Sequence, residues 1–191
     1  MKVELRAGAT GVSRAKDERA RERDFDAAFE DHFDTVMAYA IRRTSSRADA
    51  EDAVAETFVV AWRRWDDRPS SLLPWLYGIA RRVLANARRG DARRQALASK
   101  VSASSETSAH DHAERVDSDA SILSALRSLP RIDREVIFLT EWEGLRGRDA
   151  AKVLGCSVAA LHVRLFRARR RLLAQLDPDP EPYEAASKEA R

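Results

Sequence analysis

A single cysteine, Cys156, stands in 191 residues. A lone thiol makes no disulfide framework and no cysteine-based zinc site. No stretch approaches the roughly 20 apolar residues that a membrane-spanning helix needs. The opening MKVELRAGATGVSRAKDERARERD has no apolar run of the kind a signal peptide carries. These absences predict a cytoplasmic, reduced protein without membrane insertion. Glycine is scarce, at seven residues, and strand-like alternation is nowhere sustained, which argues against a sheet. His110 and His112 lie in a polar stretch with no further ligand nearby, and His32 stands alone on an early helix. No paired carboxylates and no nucleophile with a base beside it emerge. The residues therefore point away from an enzyme and away from any metal or cofactor.

What the chain has in quantity is helical periodicity. A helix is expected from about Asp24 to Arg43, with Phe25, Phe29, Phe33, Val36, Met37 and Ala40 on one face. Ser46-Arg47-Ala48-Asp49 has capping-box spacing, with Asp in place of the usual Glu. It opens a second helix to about Trp65, whose buried stripe is Ala50, Val54, Phe58, Ala61 and Trp65. The stretch Asp66-Asp67-Arg68-Pro69-Ser70-Ser71 is a loop by composition. Pro74 suits the first turn of a third helix that runs to about Arg94. Further helices are expected over Asp119 to Ser128, Arg131 to Glu143, Arg148 to Leu154, and from Val158 onward. The fold class is all-α: two small helical domains, 24–94 and 119–176, each with a marginal core. Residues 95–118, rich in Ser and Ala and nearly free of large apolar side chains, read as a flexible linker. Residues 1–23 read as a flexible N-terminal segment and 177–191 as an acidic tail.

Charge is abundant and unevenly placed. Charged residues make up 34% of the chain, yet the net charge is only +3. Asp49, Glu51, Asp52 and Glu56 follow one another without a base between them. From Arg81 to Arg94 six arginines face one carboxylate, Asp91. Alternating blocks of this kind suit partners of different charge.

The last helix, VAALHVRLFRARRRL, carries five arginines and no carboxylate. Leu161, Leu165, Ala168 and Leu172 form one apolar stripe. Opposite lie Ala159, Val163, Phe166, Arg167 and Arg170, with Arg164, Arg171, His162 and Arg169 on the flanks. Ser157 is a good N-cap, and Gly155-Cys156-Ser157 breaks the chain before it. A short helix, a glycine turn and a longer helix make a helix-turn-helix. In that motif the second helix enters the DNA major groove, N-terminal half against the base edges. Outward apolar groups suit thymine methyls, arginine suits guanine, and the C-terminal arginines suit phosphates. Solvated surface arginines are the plainer alternative, which the turn and the two outward apolar residues count against.

The third helix presents Gly78, Arg81, Arg82, Ala85 and Arg89 outward, with Trp75 and Asn86 at the edges and Leu76, Ile79, Ala80, Val83 and Ala87 inward. Small residues among arginines let a nucleic-acid backbone approach. Trp75 and Tyr77 fit either stacking on unpaired bases or packing in the core. The acidic start of the second helix fits either helix-terminus electrostatics or a basic protein partner.

Together the segments AEDAVAETFVVAWRRW (50–65), PWLYGIARRVLANARR (74–89), LRSLPRIDREVIFL (126–139) and AAKVLGCSVAALHVRLFRARRRL (150–172) resemble a bacterial sigma factor of the extracytoplasmic-function (ECF) type. The resemblance implies a non-enzymatic factor that joins core RNA polymerase and selects promoters. It implies that Asp49, Asp52, Glu56 and Phe58 dock on the polymerase β′ clamp helices, with the β flap a further polymerase contact. It assigns Trp75, Arg81, Arg82, Asn86 and Arg89, with the Asp66–Ser71 loop, to opening the −10 element. Ser157, Ala159, His162, Val163, Arg164, Phe166, Arg167 and Arg170 are assigned to the −35 duplex. An anti-sigma partner is a further implication. This chain departs from the family pattern in three places. Arg82 stands where Asn is common, Arg146-Gly147-Arg148 replaces a Ser cap with an acidic first turn, and His162-Val163 replaces a basic–Ser pair.

A stand-alone helix-turn-helix regulator is the alternative, and it leaves the acidic second helix and the arginine-rich third helix unexplained. Cys156 falls in the turn of the motif, where a small, half-buried residue is needed, so packing explains it better than redox sensing does.

Overall fold

A computed structural model describes residues 7–101 and 117–176 of the chain. In chain order the elements are α1 (Ala7–Ile41), α2 (Arg47–Arg63), a 3-10 turn (Trp65–Asp67), α3 (Leu72–Val101), α4 (Asp117–Ser128), α5 (Arg131–Ile137), a π-helical turn (Phe138–Trp142), α6 (Gly147–Leu154) and α7 (Val158–Leu176). They form two compact units, α1–α3 and α4–α7. Among the described residues no helix is long and apolar enough to cross a membrane.

In the first unit α2 packs against both α1 and α3. Ser46 caps α2 as its spacing predicts, its side chain accepting from the Asp49 N–H at 3.1 Å. Such a cap is worth about 1 kcal/mol. The Asp49 carboxylate in turn accepts from Ser45 Oγ at 3.4 Å. The expected stripe Ala50, Val54, Phe58, Ala61 and Trp65 is buried throughout. It shares the core with Val36, Tyr39 and Ala40 of α1 and Leu76, Tyr77, Ile79, Ala80 and Val83 of α3. Each large side chain buried there contributes about 1.5–3 kcal/mol. Thr57 is fully buried and satisfied, donating to the Ala53 carbonyl at 2.6 Å.

Three expectations need correction. Residues 7–23 are not loose, because α1 already includes them. Ala, Lys, Arg and Glu dominate Arg14 to Arg23 and favour helix strongly without needing a buried face, and Arg21 and Asp24 anchor the helix through ion pairs. α3 likewise continues past Arg94 to Val101, so the first part of the expected linker is helical; it contains no Gly or Pro to stop it. Residues 102–116 of that linker, with His110 and His112, lie outside the described residues, as does the acidic tail, while its last two residues, Asp117 and Ser118, already belong to α4. Ala87 is exposed, and Leu84 is buried in its stead. Here α3 runs out from under its cover, since Asp91 to Leu97 are all exposed.

The core of the second unit joins Leu126, Leu129, Ile137, Phe138 and Ala168, with Leu165 and Leu172 packed against it. The helix expected to continue to Glu143 widens instead into the π turn. There the Glu143 N–H reaches the Phe138 carbonyl at 3.0 Å. Thr140 supplies a local cause, its hydroxyl donating back to the Val136 carbonyl at 3.0 Å and competing with the helical ladder.

Candidate nucleic-acid interface

The helix-turn-helix is α6, its turn and α7. Gly155 takes the left-handed conformation, φ +67°, that ends a helix at low cost only for glycine. The Cys156 N–H donates to the Ala151 carbonyl at 3.0 Å and the Gly155 N–H to that of Lys152 at 3.2 Å. This pair of bonds is a Schellman motif. Two residues on, Ser157 opens α7 by accepting from the Ala160 N–H at 3.2 Å. Cys156 is half-buried in this turn. At the other end of α6 Arg146 makes no side-chain cap, and Gly147 has a positive φ of 39°. The helix forms nonetheless, covering Ala150, Ala151, Val153 and Leu154.

On α7, Leu161 and Ala168 are buried, while Val163 and Phe166 are 49% and 62% exposed. Ala159, His162, Arg167 and Arg170 are exposed and Arg164 is half-buried, so the outward face is the expected one. The five arginines are not equivalent. Arg171 pairs with Asp133 of α5, a carboxylate only 4% exposed. Arg169 pairs with Glu141 of the π turn at 2.5 Å. Among the described residues Arg164, Arg167 and Arg170 have no carboxylate partner. Of the C-terminal arginines, Arg169 and Arg171 thus bind the helix to its own unit. No signal within the helix reveals this, since the answering carboxylates come from other elements.

On α3, Arg82, Asn86 and Arg89 are exposed and Arg81 is half-buried. Arg89 donates to the Asn86 side-chain carbonyl, which points both groups along the same face. A Cβ added at Gly78 would meet nothing within 4 Å, so the surface there is open. Tyr77 belongs to the core, stacked on Tyr39 with ring centroids 4.6 Å apart. Trp75 is half-buried, its ring centroid 6.2 Å from that of Trp65. Of the two aromatics, only Trp75 remains available to a base.

Asp49, Asp52 and Glu56 are exposed on one side of α2. Glu51 is held by Arg47 at 2.8 Å. Phe58 does not lie at the surface with them; it is buried beneath the rings of Phe25, Phe29 and Phe33. A residue already in the core stripe cannot also meet a partner directly. Exposed apolar groups on α1 and α2 include Phe29, 38% exposed, and Val59, 47% exposed, one turn beyond Glu56. Sequence reasoning missed Val59, although its place on the Asp52–Glu56 face follows from helical spacing. Among the described residues no cluster of three or more His, Cys, Asp or Glu is placed to hold a metal.

Residues 28–94 match the model of sigma-70 region 2, and residues 119–172 that of sigma-70 region 4. The chain is 34% identical over 143 residues to the probable RNA polymerase sigma factor RfaY of Xanthomonas campestris, covering 71% of this chain and 36% of that protein. Against the ECF RNA polymerase sigma factor SigC of Mycobacterium tuberculosis it is 33% identical over 138 residues, covering 71% and 74%. Among solved structures it resembles the sigma factor RpoE of Bartonella quintana in complex with the anti-sigma factor NepR. That match has a TM-score of 0.65 and 28% identity, covering 83% of this chain and 99% of that one.

Proposed function

Because the chain belongs to the family of ECF RNA polymerase sigma factors, we propose that it joins core RNA polymerase, directs it to promoters and carries no catalytic group of its own. The observation that carries this reading is the pairing of two different faces in a fixed chain order. A region 2 unit bears an unanswered acidic side and an arginine side, and a region 4 unit bears a reading helix. The stand-alone regulator has no support, since it gives the whole of residues 28–94 nothing to do.

In this reading Asp49, Asp52 and Glu56, with Val59 and Phe29 beside them, dock on the basic β′ clamp helices. Phe58 supports that surface from below. Trp75, Arg81, Arg82, Asn86 and Arg89 line the path of the −10 element, where arginines neutralise phosphates and the indole edge meets an unpaired base. On the −35 duplex, Ser157 fixes the start of α7, Ala159 permits close approach, and His162, Val163, Phe166 and Arg167 face base edges. Arg164 and Arg170 take phosphates. The β flap meets the second unit, and an anti-sigma protein is a further partner, as RpoE is found in complex with the anti-sigma factor NepR. Polymerase is cytoplasmic, and so is a factor that assembles with it.

Run-off transcription on sheared genomic DNA with bacterial core polymerase tests this directly. Discrete transcripts that require the protein are expected, and their start sites give both promoter elements. Specific duplex binding by the free protein with no such transcripts would defeat the reading.

A further inference from the structure

Two ion pairs in the first unit tie the turn between α2 and α3 to the early part of α1. Arg21 of α1 donates from Nε to Asp66 at 2.9 Å and from Nη2 to the Trp62 carbonyl at 2.6 Å. Its guanidinium lies 3.8 Å from the centre of the Trp62 ring. One helical turn later Asp24 accepts from Arg68, which also donates to the Trp65 carbonyl at 3.0 Å and lies 4.6 Å from the Trp65 ring centre. The arrangement is reciprocal. α1 offers a cation and then an anion, and the turn answers with an anion and then a cation. Each arginine also neutralises a carbonyl where α2 ends and rests on an indole, so neither is a freely swinging surface charge.

The exposures separate two possible roles. Arg21 is 26% exposed, but Asp66 is 79% exposed, and Asp24 and Arg68 are 53% and 35% exposed. Pairs this open to water do little for global stability. Their effect is local, because Arg68 to Ser71 are all exposed and have no buried side chain of their own to define their path. The pairs supply that definition from outside the turn.

We propose that Arg21 and Asp24 are positioning residues for promoter opening. The double latch holds the turn of residues 66–71 in the shape that receives an unpaired base of the −10 strand. This rests on the reading that the turn meets the melted −10 element. α1 therefore acts on the DNA step without touching DNA.

The test uses the full chain assembled with core polymerase. Promoter opening is followed by 2-aminopurine fluorescence within the −10 element, and base preference is measured on fork-junction DNA. Arg21→Gln and Asp24→Asn are each expected to slow opening about fivefold, the scale set by losing one partly exposed ion pair. Both should flatten base preference while leaving core affinity and −35 duplex binding at wild-type values, and Asp24→Glu should restore opening and preference. Wild-type opening and preference in the Arg21→Gln, Asp24→Asn double variant would overturn the latch. So would an equal loss of core affinity, which would make the pairs merely structural. A variant with Pro69→Gly, Ser70→Gly and Ser71→Gly together separates this failure from that of the underlying reading. If it too opens promoters normally, the turn does not serve the −10 element at all. If it is impaired while the latch variants are not, only the latch falls.

Discussion

The arginine-rich helices of the two units, α3 and α7, treat nearby carboxylates in opposite ways. In the second, carboxylates from α5 and the π turn reach across to α7 and bind Arg171 and Arg169. In the first, the acids of α2 and the arginines of α3 stay apart. Arg89 turns to Asn86 and Arg94 to Asp91 within their own helix, while Asp52 and Glu56 meet no base among the described residues. Charge in the second unit is therefore partly spent on orienting the reading helix. On α2 and α3 it is held open on two separate faces, which suits the proposed place of this unit between a basic protein surface and an anionic strand. A run of like charges in a sequence does not tell these two uses apart; the partner across the fold does.

The contrast is broken most severely by reversing the open acids. Asp49→Lys with Asp52→Lys is expected to weaken core polymerase binding by about a hundredfold or more, because like charges facing each other cost several kcal/mol. The domain should stay folded, with stability lowered only by the roughly 0.3–1 kcal/mol that each cation costs near a helix N-terminus. Normal holoenzyme assembly by that variant would reduce the acidic block to helix capping.

Arg171→Ala comes next. It strands a nearly buried Asp133, and breaking such a pair costs about 2 kcal/mol once the half-exposed arginine is allowed for. Arg169→Ala, at a pair open on both sides, should cost under about 1 kcal/mol. Equal melting temperatures for the two variants would erase the distinction between anchor and ordinary surface pair.

Phe166→Ala and Arg167→Ala should each weaken binding to a −35 duplex by about 1–3 kcal/mol while leaving polymerase binding intact. A competition assay on matched and mismatched duplexes reads this out. Loss of polymerase affinity instead would show that α7 faces protein.

Gly78→Ala has the smallest expected effect and a sign of its own. The new methyl meets nothing and replaces glycine within a helix, so the fold should gain about 0.5–1 kcal/mol. Promoter opening should slow as the open surface fills. Faster or unchanged opening with the same gain in stability would remove Gly78 from the DNA path.

Much of this was legible in the sequence, for physical reasons. Ser46 and Ser157 cap the helices they precede, Gly155 ends α6, and the α2 stripe is buried as its spacing requires, because caps, turns and apolar periodicity are local properties. What escaped was non-local or depended on relative cover. Phe58 satisfied a core pattern and a family motif at once, and only the packing of Phe25, Phe29 and Phe33 over it decides between them. Tyr77 was undecided until Tyr39 lay against its ring. The early turns of α1 and the late turns of α3 are helical without a buried face, so a search for apolar stripes passes over them.

The division of labour along α7 has a further consequence. The groups facing outward to be read, Ala159 to Arg167, occupy its first half, and the two anchors, Arg169 and Arg171, its second. The outward positions of the first half, unlike Leu161 and Leu165 between them, can thus be rewritten without loosening the second. Under the proposed function, promoter choice is a replaceable cassette on a fixed mount, and new specificities are accessible to selection or grafting at those outward positions.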